Sequence, residues 1–372
     1  MKPPDPAPLT SGSGPKAGRY PTLADVGSGR DNNFNLLRFV ASLLVVLTHG
    51  IALSTGNVEV TPLHVFGGFV AVLAPDVFFV ASGYLITASL MGRNDAAAYV
   101  RARVLRIYPA LWVSGFATVF GIGLLVTTLP ALDYLTHPQT WIFLVRNLTL
   151  VAGASESLPG VFNGLPYPNS VNGSLWTLPV EIRLYLGLLL LWWLAGRFTR
   201  QQRPWMGWVM VAGAVLLGVL KLRMELGHLP TVNTLRLAPL FFIGSAFYLF
   251  REHVAIRRDW FWLALGAMLL SAPWRPVFQV VELLTIGYVT LYLAYVPDGA
   301  VRQFNRLGDY SYGIYIHSFP LQQCLVLAMP GIGPWATMAA SLMVSVPVAV
   351  ASWHWIEKPA ISRKRKVPAP SP

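Results

Sequence analysis

The sequence predicts an all-α, polytopic membrane helix bundle of about ten transmembrane helices, with both termini cytoplasmic. Three observations predict it. Hydrophobic residues make up 54% of the 372 and charged residues only 12%, with a mean hydropathy of +0.53, which is outside the range of a soluble domain. Apolar stretches recur along the chain at lengths near the ~20 residues that cross a bilayer core. The basic residues gather in alternate connections, as the positive-inside rule requires.

Residues 1–34, rich in Pro, Gly and Ser and without an apolar run, are expected to form a disordered cytoplasmic tail. The first apolar stretch starts too late and runs too long for a cleaved signal peptide. Spans are predicted at 35–54, 66–90, 108–129, 174–196, 205–222, 232–250, 259–273, 277–296, 310–329 and 335–356. Together they form a transmembrane domain over 35–356, followed by a basic cytoplasmic tail at 357–372. The stretch 139–152 is apolar but short and contains Arg146 and Asn147, so it reads as re-entrant or interfacial. With the N-terminus inside, about 21 of the 28 basic residues fall on the cytoplasmic side. The outer side receives Arg146, Lys221, Arg223, Arg236 and Arg275. The net charge of +12 therefore reports topology, and no nucleic-acid partner is expected. One cysteine, Cys324, excludes an intrachain disulfide or a thiolate metal cluster.

Ionisable groups inside spans are costly unless paired or hydrated, so they mark candidate sites. The first span carries Arg38 and His49, eleven positions apart, which places them within ~20° of one helical face and ~16 Å apart along the axis. Read alone, Arg38 snorkels to headgroups and His49 bonds a neighbouring helix; read with the other spans, both face an internal site. The second span has Asp76 on the stripe of Val80, Gly83 and Thr87, and Phe78-Phe79-Val80-Ala81-Ser82-Gly83-Tyr84 runs through it. Ser82 reads as packing or cavity lining, because no strand-to-helix elbow surrounds it. Asp76 is placed to orient or charge-compensate His49.

At the cytoplasmic mouth of the third span, Arg103 and Arg106 are three apart and project together, which suits phosphate groups; topology alone also favours arginines there. The fourth span presents Ser174, Thr177, Glu181 and Tyr185 as a polar stripe beside Trp176, which implies a lined internal cavity. The ninth has two polar faces, one with Tyr310, Gly313 and His317 and the other with Ser311, Tyr315 and Ser318. Trp355-Ile356-Glu357-Lys358-Pro359 reads as an anchor at the inner interface.

In this order the motifs resemble the acyltransferase-3 family of integral membrane acyltransferases, which modify bacterial surface polysaccharides, lipooligosaccharides, nodulation factors and some macrolides. The resemblance covers about 31–360 and rests on Arg38 with His49, the Phe78–Tyr84 run, Arg103-Val104-Leu105-Arg106-Ile107-Tyr108-Pro109, Ser174 through Glu181 and Tyr185, Ser311 through His317, and Trp355 through Pro359. Two departures stand out. The family often has two acidic residues where this chain has Glu181-Ile182, and some members carry a soluble esterase-like domain where only 357–372 follows here.

The resemblance implies a membrane-bound O-acyltransferase of the bacterial cytoplasmic (inner) membrane. Acyl-CoA, foremost acetyl-CoA, would be the co-substrate, with no cofactor and no metal. The acceptor would be a hydroxyl of a cell-surface or exported carbohydrate, with membrane lipid around the bundle and polysaccharide assembly proteins as further partners. His49 would be the catalytic base, with Arg38 and Glu181 as catalytic companions and Arg103 and Arg106 binding the donor. Asp76, Ser82, Trp176, Tyr185, Tyr315 and His317 would line the acceptor side or the cavity. The polar segment 153–173 would cover a glycan-binding mouth. The alternative is a secondary transporter or lipid-linked glycan flippase, which also needs buried charges and proline-broken helices such as those at Pro75 and Pro179.

Overall fold

The computed structural model describes residues 20–27, 31–57, 64–196, 204–230 and 232–363, and these are helical with no strand beyond a single bridge between Thr22 and Ala255. Each of the ten apolar stretches forms a helix. In chain order they are α1 (Phe34–Thr55), α2 (His64–Arg93), α3 (Ala96–Phe116), α6 (Thr177–Ala195), α7 (Pro204–Leu226), α8 (Asn233–Leu249), α9 (Arg258–Ser271), α10 (Arg275–Tyr295), α11 (Ser311–Ala328) and α12 (Pro334–Ser352). Two further helices, α4 (Ala131–Thr136) and α5 (Pro138–Thr149), lie between α3 and α6.

Seven helical stretches among the described residues are long and apolar enough to cross a membrane. That is fewer than the ten spans expected. The other three explain the difference: α8 has 17 residues and α9 has 14, and α11 dilutes its apolar residues with Ser311, His317, Ser318, Gln322 and Gln323. The third helix also starts earlier than hydropathy alone indicated. Asp95 caps it by accepting hydrogen bonds from the backbone N–H groups of Ala97 and Ala98 at 2.8 and 3.1 Å, so Arg101, Arg103 and Arg106 are helical rather than in a preceding loop. A π-helical stretch, Ala117–Gly123, then continues it to Val126.

Part of the segment assigned to the N-terminal tail is folded. Thr22 and Asp25 form a capping box on a single turn, Leu23–Val26, whose backbone pairs with Arg251 and Val254, and Leu23 is fully buried. Residues 1–19 and 28–30 of that tail, the connection bearing Arg197, Arg200 and Arg203, and 364–372 of the C-terminal tail lie outside the described residues.

The bundle is drawn tight where α2 crosses α8. A Cβ added at Gly83 would meet the Phe241 carbonyl oxygen at 2.0 Å, and one at Gly244 would meet that of Val80 at 2.1 Å. Two glycines thus let the backbones touch, as small residues do where membrane helices associate. Ser245 reinforces the crossing by donating to the Gly83 carbonyl at 3.3 Å. The main core gathers around α2, α8 and α10, while a second cluster of Val119, Tyr134, Phe143, Val161 and Val171 ties 119–171 together. Within it α5 ends at Leu150 in the left-handed region, and Arg146 donates to the Ala152 carbonyl at 2.9 Å.

Candidate active site

A cavity of about 310 Å³ lies among α1, α2, α3, α6 and α11. Its lining includes Arg38, Ser82, Arg103, Arg106, Glu181, Tyr185 and Tyr315, so seven of the residues singled out in the sequence converge on one space. They come from helices that pack side by side, each turning its polar stripe inward because the opposite choice would put charge against lipid.

The basic mouth is a network of alternating charge. The Asp309 carboxylate accepts from Arg38 at 2.7 Å and from Arg106 at 2.6 Å, while the second nitrogen of Arg106 donates to Glu357 at 3.1 Å. Asp309 sits in the connection before α11, where burial alone would raise its pKa; the guanidiniums of Arg106 and Arg38 and a hydrogen bond from Ser311 outweigh that and hold it at about 2. Glu357 is buried and also accepts from Ser352 at 3.0 Å. Within the stretch expected to anchor at the interface, Trp355 is exposed, while Glu357, at the end of a π-helical turn, Trp353–Glu357, is buried on Arg106. Arg103 is placed differently. It spans the Tyr99 and Tyr185 rings at 5.7 and 5.9 Å and reaches Ser89 at 3.5 Å.

Deeper in, Ser82 and the Tyr185 hydroxyl are 2.9 Å apart, and both hydroxyls bond Glu181. Tyr99 fixes this turn of α6 by donating to the Tyr185 carbonyl at 3.0 Å. At the far end Thr177 and the Tyr315 hydroxyl lie 2.6 Å apart, and that hydroxyl also donates to the Ser174 carbonyl.

His49 does not line the cavity itself. Its Nδ1 is 3.5 Å from Ser174 Oγ, and its ring stands edge-on to Phe319 at 5.2 Å. Ser174 therefore links the cavity's far end to the imidazole. Asn172 positions Ser174 by accepting from its N–H at 3.2 Å and anchors the turn to the Ile316 carbonyl at 2.9 Å. The segment 153–173 closes over this end, with Tyr167 against Phe319 at 6.4 Å and Gln323 donating to the Tyr167 and Ser170 carbonyls.

Three expected site residues lie elsewhere. Asp76 does not serve His49; it pairs with Arg236 at 3.8 Å in a separate cleft, because Pro75 lines the cavity and the next residue on a helix points ~100° away. Trp176 follows it, packing under the Arg236 guanidinium at 5.9 Å. His317 lies outside the cavity lining, on the stripe where Gly313 presses against Ala349 of α12. Conversely, the network residues Asp309 and Glu357 and the lining residue Tyr312 were not singled out as site residues. The only sequence signal for Asp309 is a carboxylate directly before the Tyr310–His317 run.

The family model for an acyltransferase domain matches residues 31–354 of the chain. Among curated proteins, the chain is 26% identical to Nodulation protein 10 of Rhizobium leguminosarum bv. viciae, over 92% of this chain and 96% of the relative. It is 27% identical to the O-acetyl transferase of Shigella phage Sf6, over 90% of this chain and 97% of the relative. No solved structure matches.

Proposed function

Because the chain belongs to the acyltransferase family matched over 31–354 and is a membrane O-acyltransferase, we propose that it carries an acyl group, foremost acetyl, from acyl-CoA to a hydroxyl of a cell-surface or exported glycan. The observation that carries this reading is the Ser174 link, which joins His49 to the far end of a cavity whose near end holds three arginines. A thioester arm lying along that cavity would bring its carbonyl toward the imidazole, about 16 Å along α1 from Arg38.

In this reading His49 takes the proton of the acceptor hydroxyl as that oxygen attacks the thioester carbonyl carbon. The carbon–sulfur bond then breaks, and the imidazolium returns the proton to the coenzyme thiolate, so no net proton is consumed. Ser174 Oγ at Nδ1 leaves Nε2 for the acceptor. Arg106 is held by Asp309 and Glu357, so gripping donor phosphate falls chiefly to Arg103, with Arg38 and Arg106 setting the field of the mouth. Glu181, Ser82 and Tyr185 would orient the pantetheine arm through their shared hydrogen bonds.

The charge distribution supports ten crossings in the inner membrane, with both termini and the arginine mouth cytoplasmic. The donor would then approach from the cytoplasm, and the glycan would meet His49 beneath 153–173 on the outer side. Purified protein incubated with radiolabelled acetyl-CoA and surface glycan should label the glycan, an outcome a transporter or flippase cannot produce. Sealed vesicles of known orientation then test sidedness. Transfer only when donor and acceptor share the cytoplasmic face would overturn the trans-bilayer arrangement.

A further inference from the structure

A second cleft, of about 190 Å³, opens between α7 and α10 and has no part in the reaction described above. Its rim is apolar and outward-facing: Val215, Val219, Val280 and Leu284 are all exposed on the flank of the bundle. Its floor is the reverse, with Asp76, Glu282, Gln279, Lys221 and Arg236. Asp76 and Glu282 are 1% and 4% exposed, and their carboxyl groups touch. Yet Oδ1 of Asp76 has the Arg236 guanidinium no nearer than 3.8 Å, and Oε1 of Glu282 and Oε1 of Gln279 accept no hydrogen bond among the described residues. Three buried acceptors facing one cleft call for donors, since a buried oxygen that accepts no hydrogen bond has lost its water without replacement.

Depth and charge narrow the occupant. Lys221 lies about one turn from the end of α7, Gln279 and Arg236 about one turn and Glu282 about two turns from the starts of α10 and α8, so the floor is ~5–10 Å below the helix ends. That is the level of the headgroup and acyl boundary. The floor pairs two carboxyl groups with two cations, so it matches a group that is itself both cationic and anionic. The apolar rim matches acyl chains.

We propose that this cleft is a binding site for a phospholipid with a primary-ammonium headgroup. Its phosphate lies against Lys221 and Arg236, and its ammonium donates to Asp76, Glu282 and Gln279. Phosphatidylethanolamine meets this requirement. Phosphatidylcholine has the same charges but a quaternary nitrogen with no hydrogen to donate, which makes it the discriminating control.

Native mass spectrometry of the purified full-length protein, titrated with phosphatidylethanolamine, phosphatidylcholine and phosphatidylglycerol of identical acyl chains, tests the site. Phosphatidylethanolamine should be retained at least ~5-fold better than phosphatidylcholine, a difference of about 1 kcal/mol. Glu282→Gln and Gln279→Leu should each shrink that preference to within ~2-fold, and Lys221→Met should weaken phosphatidylethanolamine itself. Should Glu282→Gln fail to fold, the other two variants carry the test. Equal retention of the ethanolamine and choline lipids, a preference that survives Gln279→Leu, or phosphatidylethanolamine retention unchanged in Lys221→Met would overturn the proposal and leave a water-filled polar cluster. Retention of phosphatidylglycerol equal to that of phosphatidylethanolamine would overturn the ammonium assignment.

Discussion

Asp309 and Arg106 meet at 2.6 Å although 203 residues separate them in sequence, and the same carboxylate holds Arg38. One acidic group thereby ties the starts of α1 and α11 to the middle of α3 at the mouth of the cavity. Replacing it with a neutral side chain leaves two partly buried guanidiniums short of their counter-charge. Asp309→Asn is expected to cost about 3–5 kcal/mol and to abolish transfer. Thermal unfolding in detergent, run beside turnover, checks it; an unchanged melting temperature would show that the network is not structural.

The same residue gives a pH dependence of known sign. Its folded pKa of about 2 lies below the ordinary value of 3.8, so its stabilisation is fully present above pH ~4 and is lost as pH falls through about 2. The shift corresponds to roughly 2 kcal/mol. Between pH 4 and 2 the wild type should therefore lose more stability than Asp309→Asn, measured by denaturant midpoint at each pH. Parallel curves would rule out Asp309 as the titrating group.

His49→Ala should remove transfer while leaving insertion and folding intact, since the residue is partly exposed and its ring meets Ser174 at 3.5 Å and the edge of Phe319 without an ion pair among the described residues. Ser174→Ala should be milder, lowering kcat by about 5–10-fold with KM for acyl-CoA unchanged, as one hydrogen bond to the ring is worth ~1 kcal/mol. Near-normal turnover in purified His49→Ala would end the general-base assignment.

The two arginines of α3 should separate in kinetics. Arg103→Ala is expected to raise KM for acyl-CoA by roughly 10–100-fold with a smaller change in kcat, because a phosphate grip acts on ground and transition states alike. Arg106→Ala leaves buried Glu357 without its cation and Asp309 with Arg38 alone, so its main effect should be a lower melting temperature. A KM effect confined to Arg106→Ala would reverse the assignment.

At the α2–α8 crossing, Gly83→Ala places a methyl 2.0 Å from the Phe241 carbonyl oxygen, which is backbone and cannot rotate away. A loss of about 1–3 kcal/mol follows from forcing the helices apart. Gly92→Ala, with open space around it, is the control and should leave the melting temperature unchanged.

Hydropathy and periodicity are local properties, and what depends on them was readable from the chain alone: membrane class, helical segments, and the polar stripe of Thr177, Glu181 and Tyr185, which lines the cavity. The number of stretches able to cross was less readable, because α8, α9 and α11 owe their place to packing rather than to length or apolarity. Partnerships across helices were not readable at all. A carboxylate in sequence shows neither which cation it meets nor whether it turns inward. Only the tertiary structure put Asp309 and Glu357 on Arg106, sent Asp76 to Arg236 instead of His49, and set His49 behind Ser174 at the cavity's end. Those contacts join residues more than a hundred positions apart, and their energy exists only once the helices that carry them have packed.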